Sequence, residues 1–204
     1  MGEILRLGFV LMAVTLVAAA ALGLANRATA PVIEIQERLA RQAAMTEASL
    51  VLSPGDSLQF DSLRVEDLSN PYALVDEELL VVSVRDSIGT DLGYVFTAYG
   101  KGYSSTIQTL VCVDLSGAVA GSVILCQQET PGLGANVEKP DKLIGHFVGL
   151  HAAEILLKKD GGDIDAITGS TITSRAVTNS VRTGIEAMND AGLFTRSDGD
   201  GGAQ

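Results

Sequence analysis

Between Leu7 and Ala25 the chain reads LGFVLMAVTLVAAAALGLA, a run without a single charged residue. As a helix it spans roughly 28 Å, about the hydrocarbon thickness of a bilayer. Such a run is either a retained membrane anchor or a secretory signal that is cut away. Ala28-Thr29-Ala30 has the small-x-small form of a cleavage site. The run is longer than an ordinary signal core, however, and Pro31 would follow the cut, where its ring fits a peptidase poorly. The anchor is therefore the favoured reading, with membrane lipid as its partner. Its orientation stays open by charge counting, because Arg6 and the terminal amine on one side face Arg27, Arg38 and Arg41 on the other.

The anchor explains an otherwise odd composition. The 204 residues carry a net charge of -11, from 14 Lys+Arg against 25 Asp+Glu, yet 47% are hydrophobic and the mean hydropathy is +0.29. Setting aside the anchor and its flanks removes Glu3, Arg6 and Arg27 and leaves 12 basic and 24 acidic residues, a net of -12. The remainder is an acidic domain that anionic lipid repels. With no basic cluster it excludes nucleic acid as a partner. Two cysteines exclude a disulfide scaffold and a four-thiolate metal site, and the lack of Trp argues against stacking platforms for bases.

Five segments divide the chain. Residues 1–6 form a short N-terminus and 7–26 the transmembrane helix. Residues 27–56 read as a juxtamembrane helix that starts at Pro31 and carries Val32, Ile35, Leu39 and Ala43 at helical spacing until Ser53-Pro54-Gly55-Asp56 stops it. Residues 57–196 form the main domain, and 197–204, SDGDGGAQ, a disordered tail. Within the domain LQFDSLRV, ELLVVSVRD, LGYVFTAYG, STIQTLVCVDL and AVAGSVILCQ read as strands. The last two are joined by a turn at Asp114-Leu115-Ser116-Gly117. That hairpin puts Cys112 opposite Ala120 or Gly121 and far from Cys126, so two buried thiols are expected rather than a disulfide. Further on, IGHFVGLHAAEILLKK reads as an amphipathic helix, DIDAI as a short strand, and Arg175 to Asn189 as a helix burying Val177, Val181, Ile185 and Met188. The class is α+β, with an antiparallel sheet and packed helices behind one transmembrane helix.

The chemistry lies just before that last helix, in Thr168-Gly169-Ser170-Thr171-Ile172-Thr173-Ser174. One reading is a turn in which Thr173 or Ser174 caps the helix. The other is a phosphate site, since a helix N-terminus offers unpaired N–H groups and partial positive charge, and Arg175 stands where it could meet an anion. Elsewhere His146 and His151 are five apart and make a poor metal pair. No Cys-x-x-Cys-His, GxGxxG or Walker pattern is present.

Asp165-Ala166-Ile167-Thr168-Gly169-Ser170-Thr171 resembles the flavin-transferase target motif of the FMN-binding domain family, Asp-x-x-Ser/Thr-Gly-Ala-Thr, with Ser170 in place of the usual Ala. Glu129-Thr130-Pro131-Gly132-Leu133-Gly134 matches a second motif of that family, and Gly102-Tyr103-Ser104-Ser105-Thr106-Ile107 resembles its Gly-Tyr segment, with Ser105 where Gly is common. With the anchor and the length, the chain is similar to the G subunits of Rnf ion-translocating electron-transport complexes. Their relatives, the C subunits of sodium-pumping NADH:quinone reductases, are the nearer alternative; a non-redox membrane-tethered binding module is the other.

The resemblance implies FMN held covalently as a phosphoester of Thr171, made by a separate Mg²⁺-dependent flavin transferase with FAD as donor. It assigns Asp165 and Gly169 to recognition by that enzyme. Glu129, Thr130, Gly132, Leu133 and Gly134 would form one wall of the flavin site, with Thr168, Gly169, Ser170 and Thr173 beside the phosphate. It further implies an electron carrier rather than a complete enzyme. Its place would be the cytoplasmic (inner) membrane, with the short N-terminus 1–6 on the cytoplasmic side and the flavin domain on the extracytoplasmic side, among other subunits of a ferredoxin:NAD oxidoreductase complex.

Overall fold

The computed structural model describes residues 2–49, 51–52, 58–63 and 81–194. It contains a long first helix, α1 (Gly2–Ser49), five strands and a second long helix, α2 (Thr171–Asp190). By contacts the chain divides into two units, Met1–Gln42 and Ala43–Gln204.

The described residues of the first unit are helical and hold the apolar run, whose most apolar 18-residue window has a hydropathy of 2.4 and buries none of its surface against the protein. A helix of this kind has no protein core to supply and is long enough to cross a membrane. The sequence predicts a fresh helix starting at Pro31; instead Pro31 lies inside α1. Its ring removes one backbone donor, the bond that would reach the Arg27 carbonyl. Pro31 is exposed, so solvent can take up that carbonyl. The expected stop at Ser53–Asp56 and the tail 197–204 lie outside the described residues.

In the second unit all five expected strands form: β1 (Gln59–Leu63), β2 (Val81–Arg85), β3 (Asp91–Lys101), β4 (Thr106–Asp114) and β5 (Val119–Cys126). They pair in sequence order, every neighbour antiparallel, as one meandering sheet. The Asp114–Gly117 turn is present. Asp114 Oδ1 accepts from the N–H groups of Ser116 and Ala118, and Gly117 takes φ +85°, which suits the residue without a Cβ.

Successive side chains alternate between the two faces of the sheet, and both faces are covered along β2 to β4, whereas β1 is exposed. Val81, Phe96, Ala98, Ile107, Val111, Val113 and Val119 meet Val177, Val181, Ile185 and Met188 of α2. Val82, Val84, Val95, Leu110, Cys112 and Ala120 meet Ala44 and Ala48, from the last turns of α1. That burial pushes the Cys112 thiol up to about 12, against a weaker opposing effect of its hydrogen bond with Ser49. Cys112 faces Gly121 in the register. Cys126, expected to be buried, is exposed at the end of β5; both thiols are free.

Two expected elements take other forms. The segment read as an amphipathic helix is a chain of 3-10 turns at Ile144–Phe147, Ala152–Glu154 and Lys158–Asp160. Its backbone is drawn to the sheet, where Val119 N–H donates to Leu150 O at 3.0 Å and Gly149 N–H to Val119 O at 2.7 Å. Those bonds and φ +83° at Gly149 break a continuous helix. Leu143, Phe147, Ile155 and Leu157 still reach the core from these turns. The DIDAI strand is reduced to one parallel bridge between Leu157 and Ile164.

Helix α2 approaches β3 closely at two glycines. A Cβ on Gly184 would stand 2.2 Å from the Phe96 ring, and one on Gly100 would stand 2.4 Å from Ala176 O. Methyl groups there force strain rather than fill space. Gly184→Ala is expected to cost about 1–3 kcal/mol, and Gly100→Ala at least as much because it meets backbone. Thermal unfolding checks this; an unchanged melting temperature for both variants would contradict the close packing.

Candidate functional site

The site assembles from three segments that the fold brings to one end of β3. The first is the tight turn between β3 and β4, closed by Gly102 N–H donating to Ser105 O at 2.8 Å, with the Tyr103 side chain exposed. The second is the loop after β5, from Glu129 to Gly134. Thr130 O accepts from Leu133 N–H at 3.1 Å and Ala135 N–H at 3.2 Å, while Asn136 Nδ2 donates to Gly132 O at 2.7 Å. The third is the entry to α2. Ser170 N–H donates to Ile167 O at 2.9 Å across a turn whose third residue, Gly169, has φ +79°, the backbone of a type II turn.

Glu129 joins the three. Its side chain is buried, and Oε1 accepts from Ser104 N–H (2.9 Å), Ser105 N–H (2.9 Å) and Ser105 Oγ (3.1 Å). Oε2 accepts from Tyr103 N–H (3.2 Å) and Thr173 Oγ1 (2.8 Å). Burial alone would push this carboxyl up, but the hydrogen bonds from Ser104, Thr173 and Ser105 outweigh it and hold the group below the usual carboxylate range. The packing is tight as well, since a Cβ on Gly102 would stand 2.6 Å from Oε1 and one on Gly134 2.8 Å from the Glu129 Cβ.

Together the segments enclose a cavity of about 500 Å³, within the usual range for small-molecule sites. Its walls include Tyr103, Leu133 and Ile172 on the apolar side, and Ser170, Thr171 and Thr173 at the start of α2. The helix begins at Thr171 rather than at Arg175, so Ser170 occupies the N-cap position. Neither Thr173 nor Ser174 caps it: Thr173 Oγ1 donates to Glu129, and Ser174 Oγ donates to Ser170 O at 3.0 Å. The Ser170 hydroxyl makes no capping bond and is buried without a partner among the described residues. The N–H groups of Thr171, Ile172 and Thr173 likewise find no acceptor among them. A buried unpaired hydroxyl beside free helix N–H groups suits an anion. The apolar side suits a planar ring.

Residues 102–186 match the family profile of the FMN-binding domain, and this range contains all three segments around the cavity. Over 202 aligned residues the chain is 34% identical to the G subunit of the Na(+)-translocating ferredoxin:NAD(+) oxidoreductase complex of Acetobacterium woodii, covering 92% of each. The chain belongs to the family of G subunits of ion-translocating oxidoreductase complexes. The G subunit of the ion-translocating oxidoreductase complex of Methanosarcina acetivorans is 30% identical over 188 residues, covering 92% of this chain and 95% of that one. The crystal structure of Shewanella oneidensis NqrC shares the fold, with a TM-score of 0.56 and 19% identity over 77% of this chain and 96% of that one. The relatives that establish the family are thus G subunits, and the FMN-binding domain supports FMN as the cofactor.

In this member of the family the structure gathers most of the expected site residues. Glu129, Thr130, Leu133, Gly134, Gly169, Ser170, Thr171 and Thr173 line the cavity. Gly132 and Thr168 do not; Gly132 serves the loop turn with φ +78°. Asp165 lies on the surface, paired with Lys158 Nζ at 2.7 Å. Arg175, expected to face an anion, is instead committed to Asp160 through two bonds of 2.8 Å. Sequence reasoning missed Ile172, and it missed Lys159, whose Nζ stands 3.3 Å from Thr171 Oγ1. Tyr103 was within reach, since its Gly-Tyr segment stands out in the sequence; Lys159 had no local signal.

The Glu129 cluster makes a pH-dependent contribution to stability. A folded-state pKa below the unfolded value means this stabilisation is present above the unfolded pKa of about 4.3 and is lost as pH falls through the folded value. Glu129→Gln places an amide donor against existing donors and should cost about 1–3 kcal/mol at pH 7. The gap between wild type and variant should shrink as the pH is lowered below about 4. Denaturant unfolding at pH 7 and at pH 3 tests both; a gap independent of pH would contradict the ionised cluster.

Proposed function

We propose that this chain is the membrane-anchored electron-carrying subunit of an Rnf-type ferredoxin:NAD oxidoreductase complex, holding FMN covalently through a phosphoester on Thr171. The observation that carries this reading is the position of Thr171. It is the first residue of α2, it lines the cavity, and it sits beside the unpartnered Ser170 hydroxyl and the free N–H groups of the helix start. A phosphate there meets the positive end of the helix.

The residues fit the whole of the group. Leu133, Ile172 and Tyr103 give the ring apolar walls, and Thr130 adds a polar residue to the lining. Glu129 acts by shaping the cavity, because both its oxygens are engaged by the protein. Bound FMN supplies one- and two-electron redox chemistry, and the chain's part is to place it and tune it.

Attachment needs an outside catalyst, since an aliphatic hydroxyl is a weak nucleophile. In the transferase reaction Thr171 Oγ bonds to the flavin-side phosphorus of FAD. The bond from that phosphorus to the bridging oxygen breaks, AMP leaves, and the hydroxyl proton passes to the transferase. The exposed Thr168-Gly169 turn and the surface position of Asp165 leave the motif open to that enzyme. The apolar first helix would hold the domain at the cytoplasmic membrane on the extracytoplasmic side, among other subunits of the complex. The acidic surface would orient docking.

Co-expression with a flavin transferase, followed by in-gel fluorescence after SDS denaturation, tests the covalent site. Wild type and Ser170→Ala should retain a fluorescent band and Thr171→Ala should lose it. A band that survives in Thr171→Ala and vanishes in Ser170→Ala would move the attachment to Ser170. No band in any variant would favour a module without covalent flavin.

A further inference from the structure

Three cations stand around the start of α2 in an otherwise acidic chain, and two of them are neutralised. Lys158 Nζ pairs with Asp165 at 2.7 Å, and Arg175 grips Asp160 through two bonds of 2.8 Å. Lys159, between them in sequence, has no ion pair among the described residues. Its one hydrogen bond is to the neutral hydroxyl of Thr171, at 3.3 Å. A charge-assisted bond to an anionic oxygen is shorter, about 2.7–2.9 Å, so the ammonium rests near Thr171 without its strongest class of partner.

The placement of Lys159 is built. It lies in the 3-10 turn Lys158–Asp160, closed by Asp160 N–H donating to Leu157 O at 2.8 Å. Both neighbours in the turn tie it to the segment around Thr171, Lys158 through Asp165 and Asp160 through Arg175. Behind the turn, Lys158 N–H donates to Ile164 O at 2.8 Å and Ile164 N–H to Leu156 O at 3.1 Å. The Lys159 ammonium, which makes no salt bridge among the described residues and acts on Asp160 only through space, is thereby carried to the Thr171 side chain. Next to Thr171 in the chain, the Ser170 hydroxyl at the cavity wall is buried without a partner among the described residues.

The geometry points to Lys159 as the phosphate-binding cation of the site, pairing with the phosphate of a flavin mononucleotide at Thr171 and, during attachment, with the phosphate of the incoming dinucleotide. This rests on the reading of Thr171 as the place where the phosphate sits. It assigns to Lys159 the role that sequence position suggested for Arg175.

The test compares FMN with riboflavin, which has the same ring and no phosphate. Full-length Thr171→Ala protein in detergent binds either ligand only non-covalently, and flavin fluorescence reports the affinity. Adding Lys159→Gln should weaken FMN binding about tenfold or more and leave riboflavin unchanged, while Lys159→Arg should keep most of the preference for FMN. In the Thr171 background, Lys159→Gln should slow covalent incorporation by the transferase and keep the wild-type melting temperature. Unchanged FMN affinity in Lys159→Gln, or an equal loss for FMN and riboflavin, would overturn the assignment, as would a parent protein that binds FMN no better than riboflavin. Should wild type never gain covalent flavin, the covalent reading fails by itself and the FMN and riboflavin affinities still decide for or against Lys159.

Discussion

The site depends on one buried carboxylate. Glu129 lies just after β5, yet the groups it binds come from the β3–β4 turn and from the first turn of α2. A buried carboxylate without partners is costly, and one with several donors is stabilised in its charged form. Here the donors are mostly backbone N–H groups that the tight Gly102–Ser105 turn leaves unpaired. The turn needs an acceptor and the carboxylate needs donors, so each resolves the other's desolvation. Thr173 then draws the helix start into the same cluster. Removing the charge would leave three segments without a shared reason to stand together.

What Glu129 gathers at one end, the sheet fixes along its length. The close contacts of Gly100 with Ala176 and of Gly184 with Phe96 set how α2 lies along β3. Four buried side chains, Val177, Val181, Ile185 and Met188, hold its rotation. With rotation and height fixed from below, the first residue of the helix has little choice of position, and that residue is Thr171. The location of the candidate attachment site therefore follows from core packing several turns away as much as from its own motif.

The same logic explains which parts of this structure were legible in the sequence. Strands were, because β2 to β4 are buried on both faces and the β-branched runs end in clear turn residues; turn geometry put Cys112 opposite Ala120 or Gly121, and the register selects Gly121. The buried face of α2 was, since its spacing holds over several turns. The Ile144–Asp160 segment was not. Its apolar residues recur at spacings that a helix and a series of 3-10 turns share over short stretches, and the deciding hydrogen bonds run to Val119, far off in sequence. The start of α2 was placed too late because Thr and Ser favour caps, whereas here Thr173 and Ser174 spend their hydroxyls on Glu129 and on Ser170 O. Most of the cavity wall was readable from two motifs. The local charge balance was not, because it depends on which acid each base finds in space.

That charge balance bears on how an acidic protein can hold an anion at all. With a net charge of -11, the average field disfavours a phosphate, and long-range attraction cannot be what recruits it. At short range the sum is different. Exposed charges beyond a Debye length, about 8–10 Å at physiological salt, are largely screened, so only the nearest groups count. Around Thr171 those are two ion pairs, an ammonium without a salt bridge among the described residues, and the N–H groups of a helix start. Lys158 and Arg175 hold the salt bridges to Asp165 and Asp160, and Lys159 acts on Asp160 only through space. The two ion pairs thus do more than brace the surface. They also leave the Lys159 ammonium beside Thr171 without a salt bridge among the described residues.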